Sequence, residues 1–141
     1  MILCSIIFCN SSYILFSIAN STRFFNPRFD WENGRLAIYG YIAIHREEEW
    51  GTICDDSFDE KEAEVLCRMA GYQGGAYDDG KYKIGDGNLN GKVRTDYRIW
   101  IDELRCEGNE LSVEDCRHGS EGWGIHDCDH GEDVGIKCYI N

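Results

Sequence analysis

Hydrophobic positions divide the chain into an uncharged apolar leader and a longer body in which short apolar runs alternate with polar stretches. Residues 1–19 contain no charged side chain. Behind them, several short runs rich in β-branched and aromatic residues predict strands. These runs are Arg35–Tyr39, Tyr41–His45, Trp50–Cys54, Arg98–Leu104 and Val134–Tyr139.

Residues 59–70 are predicted to form the main helix of the chain. Asp59 is a suitable N-cap, and Glu62 three residues later completes a capping box. Apolar residues then recur at three- and four-residue spacing, which defines one buried face. That face contains Ala63, Leu66, Cys67 and Ala70, and Gly71 follows as the C′ residue.

The remaining segments predict loops. Residues 20–34 are polar and aromatic without periodicity and predict an N-terminal arm, while residues 73–98, rich in Gly, Asp, Asn and Lys, predict a long irregular loop. Glu110–Cys116 predicts one or two helical turns, and residues 117–132 a Gly- and His-rich loop. Together these patterns indicate a single α+β domain over residues 35–139, with a small sheet, one main helix and long loops.

The leader predicts export of the protein. Ser17-Ile18-Ala19 is a small-x-small pattern that suits signal cleavage before Asn20. The alternative is an uncleaved membrane anchor, although residues 1–19 are at the short limit for crossing a bilayer. Asn20-Ser21-Thr22 is also a glycosylation sequon. We therefore predict a secreted protein, with membrane attachment only if the leader is retained.

The charge and the cysteines narrow the function further. A net charge of −12 argues against direct binding to nucleic acid, because the domain repels phosphate polyanions unless cations intervene. Cleavage removes Cys4 and Cys9 and leaves an even set of six cysteines. In a short exported chain such a set favours disulfides over zinc ligands. The six are Cys54, Cys67, Cys106, Cys116, Cys128 and Cys138.

Five motifs along the chain resemble one known family, the scavenger receptor cysteine-rich (SRCR) domain. The segment Trp50–Asp56 is similar to WGTVCDD, Glu64–Tyr72 to VVCRQLGY, Ile99–Cys106 to IWLDDVRC, Gly108–Cys116 to GNE..L..C, and His126–Cys138 to HNC followed by HSEDAGVVC. The motifs occur in the family's order and with its cysteine spacings, and they cover about Arg35 to Tyr139.

The resemblance implies a fold and a disulfide pattern. The fold is a curved antiparallel sheet that cradles one main helix. The implied disulfides are Cys54–Cys128, Cys67–Cys138 and Cys106–Cys116. Tyr72 stands where an eight-cysteine subgroup has a further cysteine, so the chain resembles the six-cysteine subgroup.

A calcium site is the main candidate for binding chemistry. If Cys54 and Cys128 are bonded, Asp55, Asp56 and Glu132 come close together, and clustered carboxylates are the ligands that Ca²⁺ prefers. SRCR domains use this set for Ca²⁺, and Asp102 with Glu103 stands where the family has a second acidic pair. Asp59 either joins the site or only caps the helix.

The segment Asp86–Val93 resembles the start of an EF-hand loop, with oxygens from Asp86, Asn88 and Asn90 followed by Gly91. However, Tyr97 stands where the bidentate Glu belongs. The alternatives are an Asn-Gly-rich turn and an auxiliary Ca²⁺ site.

No catalytic signature is present: the sequence contains neither a nucleophile elbow nor HExxH. We therefore predict a non-enzymatic recognition module. It would bind extracellular polyanions, microbial surface molecules or glycoproteins through Ca²⁺, as in innate defence, with Arg94, Arg98 and Arg105 as added positive charges. The alternative is an interaction module of a larger extracellular protein that docks a cationic partner.

Overall fold

A computed structural model describes residues 21–77, 97–119 and 122–140 of the chain. These residues form six strands, one α-helix and two short 3₁₀ turns. The strands are β1 (Thr22–Glu32), β2 (Arg35–Arg46), β3 (Glu49–Ile53), β4 (Gly74–Tyr77), β5 (Arg98–Ile101) and β6 (Gly135–Tyr139). The helix α1 is Glu60–Met69, and the 3₁₀ turns are Val113–Asp115 and His130–Glu132.

All six strands belong to one sheet built around β2. Five of them follow the order β4-β6-β2-β3-β5, and β1 pairs with the remaining edge of β2. Ile44 of β2, for example, lies between Thr22 of β1 and Gly51 of β3. Every pairing is antiparallel except that of β3 with β5, which is parallel. The α+β class predicted from the sequence is therefore confirmed, with a mixed sheet in place of a purely antiparallel one.

The strand β2 is continuous, whereas the sequence predicted two separate runs. The predicted break is Gly40, which instead pairs with Ile136 of β6. A Cβ at Gly40 would lie 3.1 Å from the Phe24 ring and 3.2 Å from the Phe25 carbonyl oxygen. The glycine therefore permits close approach of β1 and does not end the strand.

The prediction of an N-terminal arm over residues 20–34 is wrong, because Thr22–Glu32 forms the strand β1. It pairs antiparallel with β2, from Thr22 opposite Ile44 to Glu32 opposite Arg35. The pairing register shifts between Phe25 and Arg28, so β1 contains a bulge. A bulge interrupts the two-residue alternation of side chains. The sequence therefore lacked the pattern by which a strand is recognised.

The predicted helix is confirmed, with its caps. The Asp59 carboxylate accepts a hydrogen bond from the Lys61 N–H at 2.9 Å, and the Asp59 N–H donates to Glu62 Oε2 at 2.8 Å. Gly71 follows the helix with a φ of +90°, as a C′ residue requires. The helix packs against β4 and β6, and its buried face joins strand residues in one core. That core includes Ile42, Ile53, Leu66, Ile101, Leu104 and Ile136.

Glu62 ties the start of the helix to a distant loop. Its side chain is almost fully buried, and Glu62 Oε1 accepts a hydrogen bond from the Cys106 N–H at 2.7 Å. Both carboxylate oxygens of Glu62 thus accept hydrogen bonds from backbone N–H groups. Oε2 accepts from the N-cap residue Asp59, and Oε1 accepts from Cys106.

We expect Glu62→Ala to destabilise the domain by about 3 kcal/mol, because it leaves two N–H groups without their charged acceptor. Chemical denaturation with the disulfides intact measures the effect. The exposed neighbour Glu60→Ala is the matched control and should change the unfolding free energy by less than about 0.5 kcal/mol. Equal effects of the two substitutions would contradict the role of Glu62.

The predicted 73–98 loop begins with a strand that the sequence did not reveal. Gly74–Tyr77 forms β4, which pairs with β6. A Cβ at Gly75 would lie only 2.1 Å from Cys67 Sγ and 2.3 Å from the Lys137 carbonyl oxygen. Glycine is therefore required for packing in this strand, although in the sequence it indicates a loop.

The other elements differ in length from their predictions. The strand predicted at Arg98–Leu104 ends at Ile101, and the turns predicted over Glu110–Cys116 reduce to a 3₁₀ turn at Val113–Asp115. The strand β6, predicted at Val134–Tyr139, begins at Gly135, one residue later than predicted. Within the described ranges, no helix has both the length and the apolar character needed to cross a bilayer.

Candidate metal centre

Three disulfides connect the loops to the core. Cys54 is bonded to Cys128, Cys67 to Cys138, and Cys106 to Cys116, across sequence separations of 74, 71 and 10 residues. These are the pairs that the family resemblance implies. Cys67 and Cys138 are both fully buried, so their bridge lies within the core, whereas the second long-range bridge joins the buried Cys54 to the half-buried Cys128.

The Cys54–Cys128 bridge gathers acidic side chains from four segments. Carboxylate oxygens of Asp56, Asp102 and Asp127 approach one another within 4.8 Å, beside the Cys128 sulfur. Asp56 and Glu132 form a second group of the same kind around the bridge. Because both sulfurs are held in a disulfide, only carboxylate oxygens remain as ligands, and such a donor set suits a hard cation such as Ca²⁺.

The three aspartates line an open cavity of about 280 Å³. Asp56 follows β3, Asp102 follows β5, and Asp127 lies in the loop before the second 3₁₀ turn. The parallel pairing of β3 with β5 places the ends of those two strands side by side, with Ile53 opposite Ile101. The sheet thus presents Asp56 and Asp102 at one edge, and the disulfide adds Asp127.

Asp102 carries an unsatisfied atom at this site. Its Oδ1 is buried and has no hydrogen-bond partner in the described part of the chain. A buried carboxylate oxygen without a donor costs free energy. A cation held between Asp102 and the neighbouring aspartates would supply the missing partner, so the residues present fit a bound metal ion.

The electrostatics of the cluster point in the same direction. Partial desolvation, together with the negative charges of Asp102, Glu132, Asp127 and Asp55, raises the pKa of Asp56. Desolvation and the nearby Glu132 carboxylate likewise raise the pKa of Asp55. Mutual repulsion without a counterion is the condition that a divalent cation relieves.

Three of the predicted ligands, Asp59, Glu132 and Asp55, have structural hydrogen bonds of their own. The Asp59 carboxylate caps α1, and the structure places Asp59 in neither carboxylate group. Glu132 Oε2 accepts a hydrogen bond from the Asp129 N–H at 2.8 Å, which leaves its second oxygen for another partner. Asp55 donates its N–H to the Glu132 carbonyl oxygen at 2.9 Å, so its backbone holds the two loops together.

A buried polar network supports the loop that carries Glu132. Asp133 accepts a hydrogen bond from the Thr52 hydroxyl at 2.6 Å and contacts His130 Nδ1 at 2.9 Å. The Val134 N–H donates to the Ile53 carbonyl oxygen at 2.8 Å. Burial raises the pKa of Asp133, against the opposing effect of these hydrogen bonds. The loop is therefore fixed on β3, close to the residues that precede Asp56.

Of the predicted ligand-binding arginines, Arg98 lies near the acidic site. It lines a second cavity of about 310 Å³, and His126 lines both cavities. The Arg98 guanidinium stacks 3.8 Å above the Trp100 ring and pairs with Glu49 at 3.1 Å. Arg105 is exposed, its backbone pairs with that of Arg117, and it lines neither cavity.

Several predictions lie outside the described residues. They concern the leader at 1–19, the sequon at Asn20, the calcium-loop residues Asp86, Asn88 and Asn90, and Arg94.

Sequence reasoning missed Asp127 as a member of the site. The residue stands at the centre of His126-Asp127-Cys128, where the family motif quoted above has asparagine. Its position directly before Cys128 was the available signal, because the bonded partner Cys54 directly precedes Asp55 and Asp56. The disulfide therefore places Asp127 beside Asp56.

The fold and the site together define a disulfide-rich α+β domain with an acidic cluster at one sheet edge. Comparison with protein families matches residues 32–139 to the Scavenger receptor cysteine-rich domain. This chain belongs to that family.

Known relatives and solved structures agree with this assignment. The chain is 42% identical over 101 residues to lysyl oxidase homolog 2 of Xenopus tropicalis, a match that covers 70% of this chain and 12% of that protein. It is 39% identical over 119 residues to human lysyl oxidase homolog 4, covering 83% of this chain and 13% of that protein. The chain thus spans a small part of the length of these relatives.

Among solved structures, the fold is similar to the dimeric form of the SRCR domain of mouse MARCO. The TM-score is 0.59 at 37% identity, and the match covers 72% of this chain and 87% of that one. The third SRCR domain of murine neurotrypsin gives a TM-score of 0.56 at 30% identity, with 79% and 95% of the two chains covered. The SRCR-like fold predicted from the sequence is therefore confirmed.

Proposed function

We propose that this domain is an extracellular, non-catalytic recognition module that uses Ca²⁺ to bind anionic groups on its ligands. The observation that carries the proposal is the buried Oδ1 of Asp102, which has no hydrogen-bond partner among the described residues and lies beside two further aspartates. Three disulfides are typical of proteins that fold in an oxidising compartment, which supports an exported module. The six-cysteine subgroup is part of the same proposal.

The metal would be held first by Asp56, Asp102 and Asp127. Asp56 also belongs to the group that contains Glu132, and the Asp55 carboxylate lies near enough to Glu132 to have its pKa raised. Asp56 therefore connects two adjacent groups of carboxylates. Because the 280 Å³ cavity is open, a cation there would keep coordination positions for oxygens of a ligand.

Arg98 supplies a second contact for the same ligand. Its cavity adjoins the acidic one at His126, so a sulfate, phosphate or carboxylate group on the cation has a guanidinium nearby. Arginine suits such groups because its donors form a planar fork. This arrangement explains how a chain of net charge −12 would bind polyanions, microbial surface molecules or glycoproteins. The bound cation reverses the sign of the local charge.

Calcium titration by calorimetry tests the metal site. We expect the oxidised protein to bind Ca²⁺, and we expect Asp56→Asn and Asp102→Asn each to weaken binding at least about tenfold, because each removes a charged ligand. Asp127→Asn should weaken it less, because the family motif quoted above has asparagine at this position. Asp115→Asn, in the exposed 3₁₀ turn, is the matched control with the same chemical change. Absence of binding heat in the unmodified protein would overturn the proposal.

A second function follows from the length of the relatives. The match covers only 12–13% of the lysyl oxidase homologs, so an interaction module of a larger extracellular protein is the alternative, with its acidic surface docking a cationic protein. The two functions respond oppositely to calcium. Capture of heparin that is lost with EDTA supports calcium bridging, whereas capture of a basic protein that strengthens with EDTA supports the alternative.

A further inference from the structure

We infer that the outer edge of β1 is a self-association surface, at which Arg28–Glu32 pairs antiparallel with the same segment of a second copy of this chain. The inference begins from two exposed aromatic side chains. Phe29 and Trp31 are 60% and 67% exposed, and they lie two residues apart on one face of the strand. Among the described strands, β1 pairs only with β2, so no described strand lies at its other edge.

The hairpin geometry shows which backbone groups face that open edge. Asn33 and Gly34 connect β1 to β2 with φ values of +51° and +76°, and Glu32 lies opposite Arg35. In such a two-residue hairpin the closing pair is hydrogen-bonded, so alternate pairs are not. Trp31 and Phe29 occupy these alternate positions, and the Trp31 N–H accordingly donates to the Asp30 carboxylate at 2.8 Å. The N–H and C=O groups of Phe29 therefore point away from β2.

The exposed segment is complementary to itself in charge. When two copies pair antiparallel with Phe29 opposite Phe29, Arg28 of each copy lies opposite Asp30 of the other. The two Phe29 residues then exchange two backbone hydrogen bonds, and each Trp31 lies opposite Pro27 of the second copy. Arg28 forms no ion pair within the described residues. In a two-fold interface of this kind, the ion pair between Arg28 of one copy and Asp30 of the other forms twice.

The bulge limits the length of this interface. Pro27 has no N–H to donate, and the register shift between Phe25 and Arg28 twists the strand there. Both features block edge pairing towards the N-terminus, and they leave the segment from Arg28 to Glu32 open. A contact of this length is smaller than a standard protein interface, so the dimer should form and dissociate with concentration.

Sedimentation velocity over a hundredfold range of protein concentration tests the inference. We expect a reversible shift from monomer towards dimer in the oxidised full chain. Phe29→Thr should weaken the association at least tenfold, and Arg28→Asp should abolish it by placing a second carboxylate opposite Asp30. Arg117→Asp, with the same change of charge at an exposed site off the sheet, should dimerise as the unmodified protein does.

Mixing two charge variants separates this geometry from other modes of association. At the two facing positions, 28 and 30, Arg28→Asp carries two negative charges and Asp30→Arg carries two positive charges. Neither should self-associate, but an equimolar mixture should form a heterodimer, because each copy then supplies the charges that the other requires. Near-UV circular dichroism confirms that both variants are folded.

A monomer at every concentration, or a dimer that both charge variants retain, would overturn the inference. The calcium site uses none of these residues, so this failure is independent of the proposed function.

Discussion

Reduction of the two long-range disulfides, Cys54–Cys128 and Cys67–Cys138, should unfold this domain at room temperature. Each closes a loop of more than 70 residues, for which chain entropy gives a stabilisation of about 4.5 kcal/mol. A single domain of this size has a total stability of roughly 5–15 kcal/mol. Loss of both bridges therefore removes most or all of the stability. Near-UV circular dichroism in strong reductant should lose its native signal.

Removing the bridges one at a time separates stability from function. The double substitution Cys67→Ala and Cys138→Ala removes the link between α1 and β6 but leaves the acidic cluster in place. Cys54→Ala with Cys128→Ala costs similar stability and also releases Asp127 from Asp56. We therefore expect the first pair of substitutions to retain calcium binding in the folded fraction and the second to lose it.

The short Cys106–Cys116 bridge provides the control. Its loop spans 10 residues, and the same entropy relation gives about 2.8 kcal/mol. Its removal should lower the unfolding free energy least and leave calcium binding unchanged. A reduced protein that keeps its native near-UV spectrum would show that the apolar core suffices without the bridges.

The elements that could be predicted are those whose sequence and packing requirements agree. The α1 helix has a capping box, an apolar face at helical spacing and a glycine after its end, and all three features are present in the structure. The second half of β2, the strand β3 and the strand β6 have apolar runs bounded by polar residues. In each case the local pattern and the tertiary role favour the same conformation.

The missed strands are those whose tertiary role conflicts with the local pattern. β1 has a bulge and leaves Phe29 and Trp31 exposed, so its side chains do not alternate between core and solvent. β4 contains Gly75 because the Cys67–Cys138 bridge leaves no space for a Cβ. Both requirements arise from distant parts of the chain, and a local pattern cannot contain them.

The site was predictable only where residues adjoin the cysteines. The approach of Asp56 to Glu132 followed from the bonding of Cys54 to Cys128, whereas Asp55, predicted on the same ground, lies in neither carboxylate group. Asp102 became a candidate only through the family resemblance, and its position beside Asp56 depends on the parallel pairing of β3 with β5. Nothing in the spacing of those strands along the chain specifies that pairing, because more than 40 residues separate Ile53 from Ile99.

Asp56→Asn should stabilise the metal-free domain and remove its stabilisation by calcium. The raised pKa of Asp56 means that folding disfavours its charged form. Such a group contributes stability below its unfolded pKa, and that contribution is lost as the pH rises through the raised folded pKa. At neutral pH in EDTA the charged Asp56 is therefore a net cost, which the amide removes.

Bound calcium should reverse the order of the two Tm values. At a concentration 100 times the Kd of the proposed site, calcium would stabilise the unmodified protein by about 2.7 kcal/mol. For a domain of this size that corresponds to a rise in Tm of roughly 10 °C. The Asp56→Asn variant lacks the carboxylate that belongs to both groups, so calcium should raise its Tm by only a small fraction of that amount. The expected result is a crossing: the variant has the higher Tm in EDTA, and the unmodified protein has the higher Tm in calcium.

Thermal unfolding of both proteins at pH 7, in EDTA and in calcium, measures this crossing, and Asp115→Asn controls for loss of an exposed carboxylate. Lowering the pH in EDTA should narrow the difference between the proteins, because Asp56 becomes protonated and its repulsion from Asp102, Asp127 and Glu132 ends. If Asp56→Asn lowers the Tm equally with and without calcium, then Asp56 stabilises the fold through its own contacts. The acidic cluster would in that case not be held together by a metal ion.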